Sequence, residues 1–273
     1  MRITTSRWWA FTLIELLIVI VIITILASFL LVALSKAQEE GRRVRCISNQ
    51  RNLILAFQGF IDDNNDSFPN TDYEGCNGNK LLWVSGYLNH FSCKTDSTNT
   101  LLLTEPKYAQ LAEYLREARI YKCPSDRKRY TVTIDREDNE SASRTTMISK
   151  ARSYSLNWHL GWIKSQYGTQ PLVVFNKINE VSSPSSILSF IDVNSDSICW
   201  SFFGITQNNI FMYPAIYHNG AANISFLDGH IVTKKWKTGG ISKPNPVNEG
   251  FHGHAEPAFR NVDLAWLMLM SRE

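Results

Sequence analysis

The side chains with chemistry to offer are few and widely spaced. His218 and Asp228-Gly229 bracket nine residues in the last quarter of the chain. An imidazole with a carboxylate is the minimal pair for acid–base catalysis or metal ligation. His252-Gly253-His254 with Glu256 offers a second set of metal-ligand types in a Gly-containing stretch. Asp62-Asp63-Asn64-Asn65-Asp66 carries the carboxylates and amides of a calcium loop. Five cysteines, Cys46, Cys76, Cys93, Cys123 and Cys199, allow two disulfides in several connectivities with one thiol left over.

Each has a plainer explanation. The acidic run lacks the Gly and terminal Glu of an EF-hand at the required spacing, so it reads as a solvated helix end. The His-x-His stretch reads as exposed loop. The cysteines show no C-x-x-C zinc or redox pattern, and no G-x-S-x-G, P-loop or dinucleotide fingerprint is present. The expectation is a chain with no catalytic residue, no metal ligand and no cofactor, and so not an enzyme.

The elements that must carry these residues support that expectation. Asn219-Gly220 and Asp228-Gly229 are two-residue hairpin signals, because each supplies positions that tolerate positive φ. They separate three apolar runs, Ile210–Tyr217, Ala222–Leu227 and His230–Trp236, which predicts an antiparallel meander over 210–236. His218 and Asp228 then stand at opposite ends of the central strand, about 20 Å apart at the strand rise. In that geometry His218, Asn219, Gly220, Asp228 and Gly229 shape two separate turns. Further strands are expected at Leu81–Tyr87, Ser153–Trp158, Leu172–Phe175, Ile187–Asp192 and Ile198–Phe203, a short helix over Lys107–Tyr121, and an exposed loop over Asp135–Ser149. The span 63–273 is thus a mainly β head.

The N-terminal region has another character. Leu16–Leu34 is an unbroken uncharged run, and extended back to Phe11 it covers 24 residues with one charge, Glu15. As a helix it spans about 36 Å, enough to cross the hydrocarbon core. A cleaved signal peptide would have a shorter apolar region ending at a small-residue site. A carboxylate near the start of such a segment costs a few kcal/mol unless it is paired, so Glu15 is a functional candidate. After the membrane segment, Val44, Ile47, Ile54, Phe57 and Ile61 recur at helical spacing, with Arg43, Asn49, Gln50 and Gln58 opposite. The first proline is Pro69. One continuous helix of about 50 residues follows from these features, 11–34 in lipid and 35–62 against the head. The net charge of +3 excludes a strongly electrostatic nucleic-acid binder, and the mean hydropathy of −0.18 excludes a polytopic membrane protein.

Trp9-Ala10-Phe11-Thr12-Leu13-Ile14-Glu15-Leu16-Leu17, followed directly by the apolar run, closely resembles the processing motif of type IV pilins and type II secretion pseudopilins. The resemblance implies a leader, 1–10, with Arg2 and Arg7, cut between Ala10 and Phe11 (the family usually has Gly where this chain has Ala10). It implies methylation of the new amine and a Glu15 that pairs with the amine of a neighbouring subunit. The His218–Gly229 stretch resembles the H-x9-DG segment of one pilin-like subgroup. Cys123-Pro124-Ser125-Asp126, Ser153-Tyr154-Ser155-Leu156-Asn157 and Cys46 with Asn49 and Leu53 resemble other parts of it. The implied fold is α+β and pilin-like, a long N-terminal helix on a mainly antiparallel sheet. The implied function is a structural subunit of a secretion pseudopilus or pilus-like filament. Its partners would be a prepilin peptidase/methyltransferase, other pilin-like subunits and an inner-membrane assembly platform, with no nucleic acid. The implied location is the bacterial inner membrane, single-pass, with the N-terminus cytoplasmic and the head periplasmic. The alternative is a membrane-tethered binding or hydrolytic head delivered by a pilin-type helix. Outside the cytoplasm disulfides are permitted, with Cys76–Cys93 closing a local loop and Cys46–Cys123 tying helix to head as candidates.

Overall fold

A computed structural model describes residues 12–73, 80–88, 93, 95–136, 139–163, 171–206, 210–238 and 261–272. Ala10, Phe11, Cys76 and the His252–Glu256 group lie outside the described residues.

Helix α1 runs unbroken from Leu13 to Asp63. Its start is a capping box. The Thr12 backbone N–H and hydroxyl donate to Glu15 Oε2 at 2.9 and 2.7 Å, and the Glu15 N–H donates to Thr12 Oγ1 at 3.3 Å. The apolar side chains between Leu13 and Leu31 are exposed, and this stretch is long and apolar enough to cross a membrane. The helix ends where Asn65 and Asp66 turn to positive φ, with Asn64 Nδ2 donating to the Phe60 carbonyl at 2.8 Å. The chain divides into an N-terminal unit ending at Gly41 and a compact unit, Arg42–Glu273.

In the compact unit the second part of α1 buries Cys46, Gln50, Leu53, Phe57 and Ile61. These follow one another at four, three, four and four residues, a single stripe. The stripe expected from hydropathy holds at Ile54, Phe57 and Ile61 and is corrected at its start. Val44 is 56 % exposed, whereas Gln50, expected on the polar face, is completely buried. Phe57 stacks on Phe68 at 5.7 Å and meets Phe190 edge-on at 5.5 Å, which joins the helix to the sheet.

That sheet has five strands: β3 (Tyr154–Asn157), β4 (Leu188–Asp192), β5 (Phe202–Phe203), β6 (Ala221–Phe226) and β7 (Ile231–Lys235). Their order is β5-β3-β4-β6-β7, all pairs antiparallel except β3 with β5. The architecture is α+β, one long N-terminal helix against a mixed, mostly antiparallel sheet. A C-terminal helix, α2 (Val262–Ser271), is capped by Asn261, whose side chain accepts from the Asp263 and Leu264 N–H groups. It buries Leu264 and Leu267 in the cluster that contains Ile191 and Ile224.

Several expectations are corrected. The meander has only its second hairpin, β6–β7 around Asp228-Gly229. Ile210–Tyr217 makes only isolated bridges, at Ile210 and at Pro214, where proline removes a ladder donor. Leu81–Tyr87 and Leu172–Phe175 likewise contribute single bridges, at Leu82 and Phe175. Lys107–Tyr121 forms two 3₁₀ turns, Gln110–Glu113 and Ala118–Tyr121, in place of one helix. Asp135–Ser149 falls largely within a separate hairpin of β1 (Tyr130–Arg136) and β2 (Asn139–Ile148). Backbone pairing there needs no apolar pattern.

Candidate functional site

The fold brings Cys46, Cys123, Asp192 and His218 to one point, all buried. Each arrives on a different element. Cys46 lies on the buried stripe of α1. Cys123 follows the second 3₁₀ turn, Asp192 ends β4, and His218 precedes β6. One donor atom from each residue lies within 4.8 Å of every other. Cys46 Sγ is 3.3 and 3.4 Å from the two Asp192 oxygens. His218 Nε2 is 3.4 Å from Asp192 Oδ2 and 3.5 Å from Cys123 Sγ.

Local chemistry holds each member in place. Asp192 accepts from Gln50 Nε2 at 3.2 Å and from the Asn223 N–H at 3.0 Å. Gln50 Nε2 also donates to the Asn223 carbonyl at 2.9 Å, so one amide bridges β4 and β6. The Tyr154 hydroxyl lies 3.3 Å from Cys46 Sγ. The Cys123 turn is closed by the Asp126 N–H donating to the Cys123 carbonyl at 3.0 Å. Asp126 in turn accepts from Ser153 Oγ at 2.7 Å and pairs with Lys122. Asn49 Nδ2 donates to the Lys122 carbonyl at 3.0 Å, fastening this turn to α1. His218 is fixed by a turn with positive φ at Asn219 and Gly220, 55° and 83°. All four segments that resembled the pilin-like subgroup thus meet here or supply the bracing.

The electrostatics are those of an interacting set. Burial by itself lowers the His218 pKa, but hydrogen bonds to Asp192 and Cys123 overcome it and hold it up at about 10. Burial raises the Cys123 thiol; hydrogen bonding with Cys46 and with the His218 ring reverses this and leaves it below its ordinary value. Burial, chiefly, pushes Cys46 and Tyr154 well up. Cys123 is therefore the thiol that ionises first, beside a protonated imidazole, while Cys46 keeps its proton.

Such a set can ligate a metal, form a disulfide or act as a thiolate–imidazolium pair. This corrects the expectation of a head without catalytic or metal-binding chemistry, and with it the conclusion that the chain is not an enzyme. Cys46 and Cys123 are free thiols, in place of the disulfide expected between them, and Cys199 is also free, whereas Cys93 is disulfide-bonded. An open cleft of about 790 Å³ flanks the Cys123 turn, lined in part by Arg45, Asn49, Lys122, Pro124 and Lys150.

His218 and Asp228 are not brought together. Asp228 is exposed and pairs with His230, Oδ1 to Nδ1 at 2.6 Å, and Gly229 has φ +91°. His218 instead faces Asp192, which sequence reasoning left inside a strand. The available signal was the carboxylate closing the apolar run Ile187-Leu188-Ser189-Phe190-Ile191-Asp192, since a charge ending a buried strand needs a partner. No protein-family model, no curated protein and no solved structure matches the chain.

Proposed function

We propose that this chain is a pilin-like subunit of a secretion pseudopilus or pilus-like filament. A prepilin peptidase cuts it between Ala10 and Phe11 and methylates the new amine, and an inner-membrane platform assembles it with other pilin-like subunits. The carrying observation is the 51-residue helix α1, which begins in an exposed apolar stretch and ends as a buried stripe of the head core. Glu15 is the one charge in the apolar stretch, and a neighbouring subunit's ammonium would offset its cost in lipid. The head lies outside the cytoplasm.

Glu15 also fills the capping box with Thr12, so the test must separate charge from capping. Glu15→Gln keeps a capping acceptor and removes the charge. Mass spectrometry of the membrane-extracted chain should find methylated Phe11 at the N-terminus, and Glu15→Gln should leave the protein in the membrane but out of filaments. Wild-type incorporation of Glu15→Gln, or a mature N-terminus at or after Ser28, refutes the proposal.

The buried Cys46–Cys123–Asp192–His218 group favours a second reading, a head with metal or thiol chemistry tethered at the membrane. Activity or ligand binding retained by Glu15→Gln and lost with Cys123→Ser would support it.

A further inference from the structure

We propose that Cys46 Sγ, Cys123 Sγ, His218 Nε2 and one carboxylate oxygen of Asp192 bind a single zinc ion. The site belongs to the head and is independent of filament assembly.

The geometry carries the proposal. Zinc–sulfur bonds of about 2.3 Å and zinc–nitrogen or zinc–oxygen bonds of about 2.0–2.1 Å, at tetrahedral angles, set the donor–donor edges. Sulfur–oxygen and sulfur–nitrogen edges come to about 3.5 Å and the nitrogen–oxygen edge to about 3.3 Å. Asp192 Oδ2 stands 3.4 Å from Cys46 Sγ and 3.4 Å from His218 Nε2, and Cys123 Sγ is 3.5 Å from His218 Nε2. Three of the six edges thus match a tetrahedron of zinc size, and every other pair of donors lies within 4.8 Å.

The donor set selects the ion. Two thiolates and an imidazole suit zinc, whereas magnesium and calcium take oxygen ligands. Ligation requires both cysteines as thiolates and His218 as a neutral imidazole bound through Nε2, so protons are released as the ion enters. Two thiolates and one carboxylate exceed the dication by one negative charge. The Gln50 amide and the Asn223 N–H, which donate to Asp192, and the Tyr154 hydroxyl beside Cys46, offset that excess and orient the ligands.

Four protein donors, all buried, form a closed site, the arrangement by which a metal fastens segments together. Here it links α1 to the Cys123 turn, the end of β4 and the turn before β6. Zinc would hold the head-packed part of α1 to the sheet where hydrophobic contacts give way to polar ones.

The test uses the full chain, extracted in detergent under reducing conditions and exposed to zinc alone, then desalted. The expected result is one zinc per chain by elemental analysis. Cobalt in its place should give the visible bands of a tetrahedral site with thiolate-to-metal charge transfer. Cys123→Ser and His218→Ala should each abolish stoichiometric retention, and Gln50→Ala should weaken binding roughly 10–100-fold, as loss of an outer-shell partner does. If a variant fails to fold, the wild-type cobalt spectrum decides, because its charge-transfer intensity counts the thiolates. Failure of the wild type to retain zinc, a cobalt spectrum without two thiolates, or cobalt bands unchanged in folded Cys123→Ser or His218→Ala overturns the site. Peptide mapping of the protein as isolated that links Cys46 to Cys123 by a disulfide also overturns it.

Discussion

Replacing Gln50 by alanine separates what helix periodicity says from what the packed structure says. On a solvated helix face the substitution changes stability by less than about 0.5 kcal/mol. In the structure Gln50 is fully buried, and its Nε2 donates to Asp192 Oδ1 at 3.2 Å and to the Asn223 carbonyl at 2.9 Å. The bond to the carboxylate is worth about 2 kcal/mol and the one to the carbonyl about 1 kcal/mol. Truncation to a methyl leaves a cavity costing about 1 kcal/mol more. Gln50 Oε1 is buried without a hydrogen-bond partner, and removing it returns about 1 kcal/mol. The expected loss is about 3 kcal/mol, a fall in melting temperature of roughly 6–12 °C for a domain of this size. Thermal melting of the detergent-extracted chain, treated with chelator and followed by near-ultraviolet circular dichroism, reads the head directly. Arg51→Ala, one position along on the exposed face, is the control and should shift little. A Gln50→Ala shift no larger than that of Arg51→Ala refutes the buried bridge between α1, β4 and β6.

Two further outcomes test other parts of the head. Gly161 has φ +64°, and a Cβ there would stand 2.1 Å from the Pro69 carbonyl oxygen, so Gly161→Ala should cost more than the roughly 1–3 kcal/mol of backbone strain alone; a variant with wild-type denaturant midpoint would contradict the turn geometry. Burial holds the His159 ring at a pKa of about 4, below its unfolded value of about 6.5, with Nδ1 2.6 Å from the Val173 carbonyl oxygen. The unfolded state therefore binds the extra proton between those values, and stability is present above pH 6.5 and lost as pH falls through about 4. The shift corresponds to about 3 kcal/mol, so the difference between wild type and His159→Gln in chemical-denaturation free energy should shrink by about that amount across the window; a difference that stays constant with pH would show that His159 is not buried as a neutral ring.

The chain's local order was legible to the extent that local forces decide it. An uncharged run of apolar residues without proline commits α1 to a long helix, since nothing within it competes with the backbone ladder. Asp228-Gly229 marks the β6–β7 turn because its φ requirement is satisfied within a few residues. The α+β class, a long helix against a mostly antiparallel sheet, agrees with what the pilin-like resemblance implied.

The rest is tertiary. Cys46, Cys123 and His218 each stand out in the sequence, yet nothing local says that elements so far apart in the chain deliver them to Asp192. Their common meeting point depends on the order of β3, β4 and β6 and on the phase of α1. Hydropathy placed Ile54, Phe57 and Ile61 inward as they are, but at the start of the stripe it chose Val44 where the helix turns Cys46 and Gln50 inward, because a buried thiol and amide with partners cost less than the same groups would unpaired. Likewise Ile210–Tyr217 has strand composition but no ladder, since Pro214 lacks a donor, Tyr213 bonds to the turn at 194–197, and the Ala215 N–H reaches only the carbonyl of Asp192, the last residue of β4. Periodicity measures how often a residue type turns inward; only the assembled core supplies the partners that make a polar side chain stable there.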